Sequence, residues 1–245
     1  MNALILDTET TDATDDRQLI EAAYMRVALQ PGYSYVSIAS APFVMRYKPT
    51  APIAFGAMAT HHILPEDLEG CPPHDSFTLP GSVEYLIGHS IDFDWQTIGS
   101  PVHVKRICTL AMARKVWPDV SHTLSALTYM LSDDRELTRD ALRNAHSAKA
   151  DVIFCLDLLN AIIAKAGPFD SLEALWQFSE ECRVPDTFTF GKHKGEKIAD
   201  VPVDYVMWLM RQPDVDPYLM TALRARFPKR PAPTAVQPVA EAPRA

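Results

Sequence analysis

The chain has 245 residues, of which 47% are hydrophobic and 22% charged, as is usual for a globular protein. Its formal net charge of −8 argues against a protein that binds nucleic acid over its whole surface. No apolar run approaches the roughly 18 residues of a membrane span, and no signal peptide is apparent, so no membrane partner is expected. The four cysteines are far apart, which argues against zinc or disulfides and favours reduced thiols in the cytoplasm.

The charge is unevenly distributed along the sequence. Residues 1–185 carry 14 basic and 24 acidic side chains, whereas residues 186–230 carry eight basic and six acidic ones. The main part of the chain is therefore acidic, which suits a site where carboxylates hold a metal ion better than a general phosphate-binding surface.

Five apolar segments are predicted to form strands. The first three are expected to be successive antiparallel strands, with a Pro-Gly turn after the second. The five segments are 3–7, 19–29, 42–49, 83–90 and 103–109.

Helices are predicted mainly in the second half of the chain. Residues 121–131 have an amphipathic helical spacing, with Ser121 as the expected N-cap. Residues 147–167 form the clearest helix, which ends at a Gly-Pro pair, and a further helix is expected over 171–181. Only short helical pieces are expected within 50–82.

These elements predict an α/β domain over residues 1–168, a helical linker over 169–186 and a small C-terminal α+β module over 187–228. Residues 229–245 are rich in proline and alanine without an apolar period. We expect this tail to be disordered, because it cannot bury enough apolar surface to fold.

The first predicted strand ends in two acids, Asp7 and Glu9. Because strand side chains alternate between faces, both carboxylates point the same way. Two neighbouring carboxylates repel, and each raises the pKa of the other, unless a cation lies between them. A strand end that runs into a polar turn is the alternative interpretation.

Two further acidic motifs follow. GHSIDFDW places Asp94 just past a strand, where an acid can also simply begin a helix. In HSAKADVIFCLDLL, Asp151 shares the apolar face of a helix, where an unpaired carboxylate is costly to bury, and His146 lies near the helix start. Carboxylates without thiolates suit hard cations such as Mg²⁺ or Mn²⁺, and a histidine is suited to take a proton from an attacking water.

Taken in order, the motifs DTE, HSIDFD and HSAKAD resemble those of the DEDDh branch of the DnaQ-like 3′–5′ exonucleases. The resemblance implies a ribonuclease H-like fold, with a mixed sheet of about five strands flanked by helices. Within this superfamily the chain is most similar to the exodeoxyribonuclease X group. The similar segments are AMATHHI (57–63), ICTLAMARKVWP (107–118) and TFTFGKHKGEKIADV (187–201).

The resemblance also implies roles for the acids and the histidine. Asp7, Glu9 and Asp151 would hold the metal ion that carries the attacking water, and Asp7 would also contact a second ion. Asp94 would support that second ion, through water, and His146 would be the general base. The expected cofactors are two divalent ions, Mg²⁺ or Mn²⁺.

Further residues are expected on the substrate side. Thr8 and Thr10 flank the site and are expected to hydrogen-bond the terminal nucleotide, although Thr10 is equally explained as a turn residue. His61 resembles a substrate-side histidine of the family, and Phe93 precedes Asp94.

The second motif departs from the family pattern at two positions. Ser90 stands where the family usually has asparagine, and Asp92 is an additional acid. The Phe-Asp pairing favours Asp94 as the ligand, with Asp92 as the competing candidate.

The C-terminal module contains the segment FTFGKHKGEKI. Its lysines, Lys192, Lys194 and Lys197, lie in a glycine-bounded loop that can approach phosphates closely. Its aromatic residues, Phe188 and Phe190, either stack on bases or pack onto the helix that follows.

The function expected from these features is removal of 5′-mononucleotides from single-stranded or frayed DNA 3′ ends. Two alternatives stay open at this point. One is an RNA-trimming exonuclease of the ribonuclease T or oligoribonuclease type, and the other is a non-catalytic nucleic-acid-binding protein on the same scaffold. The sequence does not indicate the oligomeric state.

Overall fold

The computed structural model describes residues 2–30, 32, 35–143 and 148–227. The chain divides into two compact units, with the boundary after Arg183. Residues 169–186, expected to form a helical linker, contain a helix that packs into the core of the first unit. The predicted tail over 229–245 lies outside the described residues.

A mixed sheet forms the centre of the first unit. Among the described residues it has six strands. Five of them follow the order β3-β2-β1-β5-β6, and the sixth, β4, pairs with the part of the β2 edge that β3 does not cover. The β1–β2 pair is antiparallel, whereas β1–β5 and β5–β6 are parallel, which confirms the predicted mixed sheet. The strands are β1 Ala3–Thr10, β2 Leu19–Leu29, β3 Val36–Ile38, β4 Phe43–Arg46, β5 Tyr85–Gly88 and β6 Lys105–Cys108.

Helices flank this sheet. Helix α4 has Thr123 as its N-cap, whose hydroxyl accepts from the backbone N–H of Ala126, so the expected cap at Ser121 is wrong. The helices of the first unit are α1 Phe55–His61, α2 Asp92–Thr97, α3 Thr109–Val116, α4 Leu124–Leu131, α5 Arg135–Arg143, α6 Ala148–Ala166 and α7 Leu172–Arg183.

The two faces of β1 enter different cores because its side chains alternate. Ala3 and Ile5 pack with the apolar face of α6, which includes Val152 and Leu159. Leu4 and Leu6 pack on the opposite face, with residues from β5 and from the segment around α2. Helix α6 therefore lies over the odd-numbered residues of β1, which are the residues that continue into Asp7 and Glu9.

The second unit has its own small core. It contains α8 Val203–Leu209 and α9 Pro217–Ala225, whose apolar residues pack around the fully buried Phe188. Asp216 caps α9 by accepting from two backbone N–H groups. Among the described helices of both units, none has the length and apolar character required to cross a membrane.

Candidate active site

Three carboxylates converge where β1 ends beside the first turn of α6. One carboxylate oxygen from each of Asp7, Glu9 and Asp151 lies within 4.8 Å of the other two. Asp7 and Glu9 share the odd face of β1, and Asp151 lies one turn before Cys155 on the buried stripe of α6. The register of strand and helix thus brings together acids that are far apart in the sequence.

The environment of these acids disfavours their charged forms. Burial raises the pKa of Glu9 to about 8, and the charges of Asp151, Glu21 and Asp94 raise it in the same direction. The pKa of Asp7 is raised well above its ordinary value, by burial and then by Asp94, Asp151, Glu9 and Glu21. Burial also raises the pKa of Asp151, to about 6. Among the described residues, no cation contributes to the shifts of these three acids.

Asp94 lies beside this group, in α2. It is only 4% exposed, and its Oδ1 accepts from the backbone N–H of Thr8 at 2.9 Å and from the Thr8 hydroxyl at 2.7 Å. Burial raises the pKa of Asp94 to about 7, although the hydrogen bonds from Thr8 and the charge of Arg17 act in the opposite direction. The charge of Asp94 in turn raises the pKa of Asp7.

Asp92, the competing acid of the same motif, is held by two arginines. Its Oδ1 accepts from Nη1 of Arg106 and its Oδ2 from Nη1 of Arg183, each at 2.5 Å. Both carboxylate oxygens therefore already have cationic partners within the protein. This geometry favours Asp94 over Asp92 as the acid available to a metal ion.

Ser90 has a left-handed backbone conformation, with φ of 71°. Asparagine tolerates this conformation better than serine does, because its short amide side chain can hydrogen-bond the local backbone. The departure from the family pattern therefore concerns the turn after β5 and leaves the carboxylates in place.

Glu21 is an acid of this region that the sequence did not single out. It lies directly opposite Glu9 in the β1–β2 pair and is only 2% exposed. Its Oε2 accepts from Nε of Arg46 at 2.9 Å, and its Oε1 accepts from the backbone N–H of Ala148 at 3.2 Å. A single acid within the apolar strand LIEAAYMRVAL was the available signal.

The predicted substrate-side residues of the first unit have different surroundings. Thr8 and Thr10 are both buried, and the Thr10 hydroxyl donates to the carbonyl of Asp12, as a turn residue would. Phe93 is half-buried and stacks against the guanidinium of Arg17, 4.0 Å from the ring centroid.

His61 ends helix α1 and is 4% exposed. Its Nδ1 accepts from the backbone N–H of Ile63, so the neutral ring carries its proton on Nε2. Within the part of the chain that the structure describes, Nε2 has no hydrogen-bond partner of good geometry. Burial lowers the pKa of His61, against the opposing effect of the Thr10 carbonyl. His61 Nε2 is therefore a buried donor that interacts with the Thr10 carbonyl without a hydrogen bond of good geometry.

For two predicted groups, His146 and the lysines of the C-terminal module, the structure gives no position relative to these acids. His146 lies outside the described residues. Lys192 and Lys194 belong to the second unit, where both are exposed on either side of the buried His193. In that unit Phe188 is buried against the edge of Tyr205, whereas Phe190 is 48% exposed, so only one of the two aromatic residues packs in the core.

The donor set fits a hard divalent cation. It consists of carboxylate oxygens alone, as Mg²⁺ and Mn²⁺ prefer, without thiolate or imidazole ligands among the described residues. The acids repel one another and are partly removed from water, and a bound cation would offset both penalties. An acidic group suited to hold a divalent cation is thus present at this end of the sheet.

The chain is similar in sequence to a known exodeoxyribonuclease. Exodeoxyribonuclease 10 of Escherichia coli strain K12 is 29% identical to this chain over 184 residues, which cover 72% of this chain and 80% of that protein. No family model matches the chain.

Solved structures share the fold. A structure of exonuclease X in complex with 5′-overhanging duplex DNA gives a TM-score of 0.55 at 23% identity and covers 72% of this chain and 99% of that one. A zinc-bound complex of E. coli exonuclease I with single-stranded DNA gives 0.52 at 17% identity and covers 67% of this chain and 40% of that one. The family resemblance that was inferred from three short motifs is thereby confirmed.

Proposed function

We propose that this chain belongs to the DnaQ-like 3′–5′ exonuclease superfamily and is a metal-dependent exodeoxyribonuclease that releases 5′-mononucleotides from DNA 3′ ends. The observation that carries the proposal is the convergence of Asp7, Glu9 and Asp151 within 4.8 Å. The relative with 29% identity is an exodeoxyribonuclease, which supports DNA over RNA as the substrate.

Two divalent ions, Mg²⁺ or Mn²⁺, fit the acidic group. Asp7, Glu9 and Asp151 would hold one ion, and Asp7, with support from Asp94, would hold the other. When bound, such ions stabilise the attacking and leaving oxygens of a phosphoryl displacement. The contribution of Thr8 is indirect: its two hydrogen bonds fix the orientation of the Asp94 carboxylate.

His146 is proposed as the general base that takes a proton from the attacking water. An imidazole has an ordinary pKa of about 6.5, so it can accept a proton near neutral pH. The basis for this role is the motif HSAKAD, in which His146 precedes Asp151 by five residues.

Residues around the acids are proposed to contact the nucleotide. The Nε2–H of His61 is a buried donor that a ligand oxygen would satisfy. Thr10 and Phe93 are also proposed to contact the nucleotide. Each already has a contact within the protein, Thr10 with the Asp12 carbonyl and Phe93 with the Arg17 guanidinium. In the second unit, exposed Lys192 and Lys194 are proposed to contact DNA phosphates.

The proposed location is the cytoplasm, and the proposed partner is a DNA 3′ end that is single-stranded or frayed. All four cysteines are free thiols, as expected of a reducing compartment.

The proposal is tested with a 5′-labelled single-stranded DNA oligonucleotide and Mg²⁺ or Mn²⁺, beside the RNA counterpart and an EDTA control. We expect a ladder that shortens from the 3′ end, on DNA and only with metal. Asp151→Asn is the matched variant, expected to fold and to lose the ladder. Trimming of RNA alone would replace the proposal with the RNA-trimming alternative. Binding without cleavage of either strand would replace it with the non-catalytic one.

A further inference from the structure

A row of three charged residues crosses three strands next to the acidic group. In the strand register, Glu9 of β1 lies opposite Glu21 of β2, and Glu21 lies opposite Arg46 of β4. Like charges that face each other directly across strands are destabilising, whereas opposite charges attract. The charge of Arg46 therefore compensates that of Glu21. Glu9, in contrast, faces an acid and not a cation on the neighbouring strand.

Glu21 is almost completely enclosed. Its side chain is 3% exposed, whereas that of Arg46 is 41% exposed, so the arginine connects the buried carboxylate to solvent. Burial of a carboxylate is costly unless its oxygens are paired. Both oxygens of Glu21 are paired, Oε2 with Arg46 and Oε1 with a backbone N–H.

That backbone N–H belongs to Ala148, the first residue of helix α6. An acid near the start of a helix interacts favourably with the helix dipole. Ala148 is fully buried, so water is not a ready substitute for this acceptor. Asp151 follows three residues later, within the same first turn of α6.

We propose that Glu21 is a positioning residue for the metal-binding group: it fixes the start of α6 against β2 and thereby holds Asp151 beside Asp7 and Glu9. The pair with Arg46 holds the Glu21 carboxylate in the orientation in which it accepts from Ala148. The inference rests on the proposed function only in that Asp151 is taken as a metal ligand.

The test compares Glu21→Ala with Glu21→Gln, because glutamine keeps an oxygen that can accept from Ala148. Mn²⁺ affinity is measured with the metal alone, and amide hydrogen exchange over the start of α6 is measured in metal-free protein. Removal of a residue that orients a metal ligand typically costs about 10–100-fold in metal affinity or activity. We expect such a loss in Mn²⁺ affinity and in kcat, with faster exchange, for Glu21→Ala and a clearly smaller effect for Glu21→Gln.

Further variants keep the test decisive. Glu84→Ala, at an exposed glutamate before β5, is the matched control and should leave all readouts unchanged. If Glu21→Ala does not fold, Arg46→Met serves instead, and it should weaken Mn²⁺ binding and speed exchange at α6. A Glu21→Ala protein with a lower Tm but parental Mn²⁺ affinity and exchange would reduce Glu21 to a structural residue and overturn the proposal. Equal losses for Ala and Gln would also overturn it, because charge and not the hydrogen bond would then matter.

The exchange measurement separates this inference from the proposed function. A protein that binds Mn²⁺ but cuts no nucleic acid would contradict the exonuclease proposal, and the effect of Glu21 on α6 would still be measurable in that protein.

Discussion

Three acids of the site lower the stability of the metal-free fold: Asp7, Glu9 and Asp151. Each is partly or largely removed from water next to others of its own charge, and each has a raised pKa in the metal-free protein. A bound divalent cation reverses this penalty, since it favours the charged form of every acid around it. Metal binding and loss of protons must therefore be linked.

Glu9 gives this linkage a definite sign. Its pKa is raised from 4.5 to about 8, so between these values the folded chain holds a proton that the unfolded chain releases. Stability rises with pH only where the unfolded state binds more protons, so here the free energy of unfolding falls as pH increases through this window. Mn²⁺ affinity should rise over the same window, because the ligand must lose its proton.

Glu9→Gln is accordingly expected to stabilise the metal-free protein at pH 8. A gain of 1 kcal/mol corresponds to a rise in Tm of about 2–4 °C for a domain of this size. Mn²⁺ should raise the Tm of the parent through linkage but not that of the variant. Thermal unfolding with EDTA or Mn²⁺ measures both effects, with Asp15→Asn, at an exposed acid, as control. A Glu9→Gln protein that is less stable than the parent at pH 8 would contradict the view that the Glu9 carboxylate is repelled by its acidic neighbours.

His146→Ala should separate metal binding from catalysis. Loss of a general base costs about 10²–10⁴-fold in rate, whereas the carboxylates that bind the metal are unchanged. Single-turnover rates on labelled DNA and Mn²⁺ titrations test this expectation. Full activity in the variant would exclude His146 as the base.

Sequence reasoning reached some of these residues and missed others for physical reasons. The alternation of strand side chains is local, so the shared face of Asp7 and Glu9 was predictable. The choice between Asp92 and Asp94 was open, because the arginines that hold Asp92 come from distant parts of the chain. Glu21 was missed because its partners are defined by strand register and by the position of a remote helix.

At the scale of elements, prediction succeeded where the apolar pattern was long and regular. Strand β2 spans the predicted residues 19–29, and helix α6 begins and ends within one residue of its prediction. Helices α3 and α5 and the three-residue strand β3 were not predicted. Helix α5 is strongly charged and buries little besides Thr138, so its sequence offers no long apolar stripe.

The turn between β5 and α2 supports a prediction at this scale. A left-handed conformation costs a residue other than glycine about 1–2 kcal/mol, partly offset by the greater flexibility of glycine when unfolded. Ser90 is exposed, so Ser90→Gly should raise the free energy of unfolding by up to about 1 kcal/mol through the backbone alone.

The same position provides the control for this prediction. Ser90→Val should destabilise the protein, because a β-branched side chain is disfavoured at positive φ. Denaturant unfolding of both variants at pH 6 measures the difference. Identical stabilities would mean that this turn relaxes without cost.

At the scale of the whole molecule, the lysines of the second unit stand out against a first unit that is strongly acidic. Each phosphate contact by a lysine releases counterions, so loss of the contact reduces the dependence of affinity on salt. Simultaneous replacement of Lys192, Lys194 and Lys197 by glutamine should weaken DNA binding and flatten its salt dependence, while Mn²⁺ affinity stays unchanged.

A triple variant in the first unit controls for net charge. Helix α5 of the first unit offers the same charge change at Arg135, Arg139 and Arg143, and their replacement should leave the salt slope close to that of the parent. Titrations of labelled DNA at several salt concentrations measure the slope. An unchanged slope in the lysine variant would exclude phosphate contact by this loop.

The bond between Arg183 and Asp92 has a consequence for the order in which the protein matures. Arg183 is the last residue of the first unit, and it holds the helix that carries Asp94. On the ribosome, β1 emerges with its two acids long before α6 and α7 have been synthesised. We therefore expect the growing chain to remain without nuclease activity until its first unit is complete, so that a potentially destructive enzyme is assembled in an inert form.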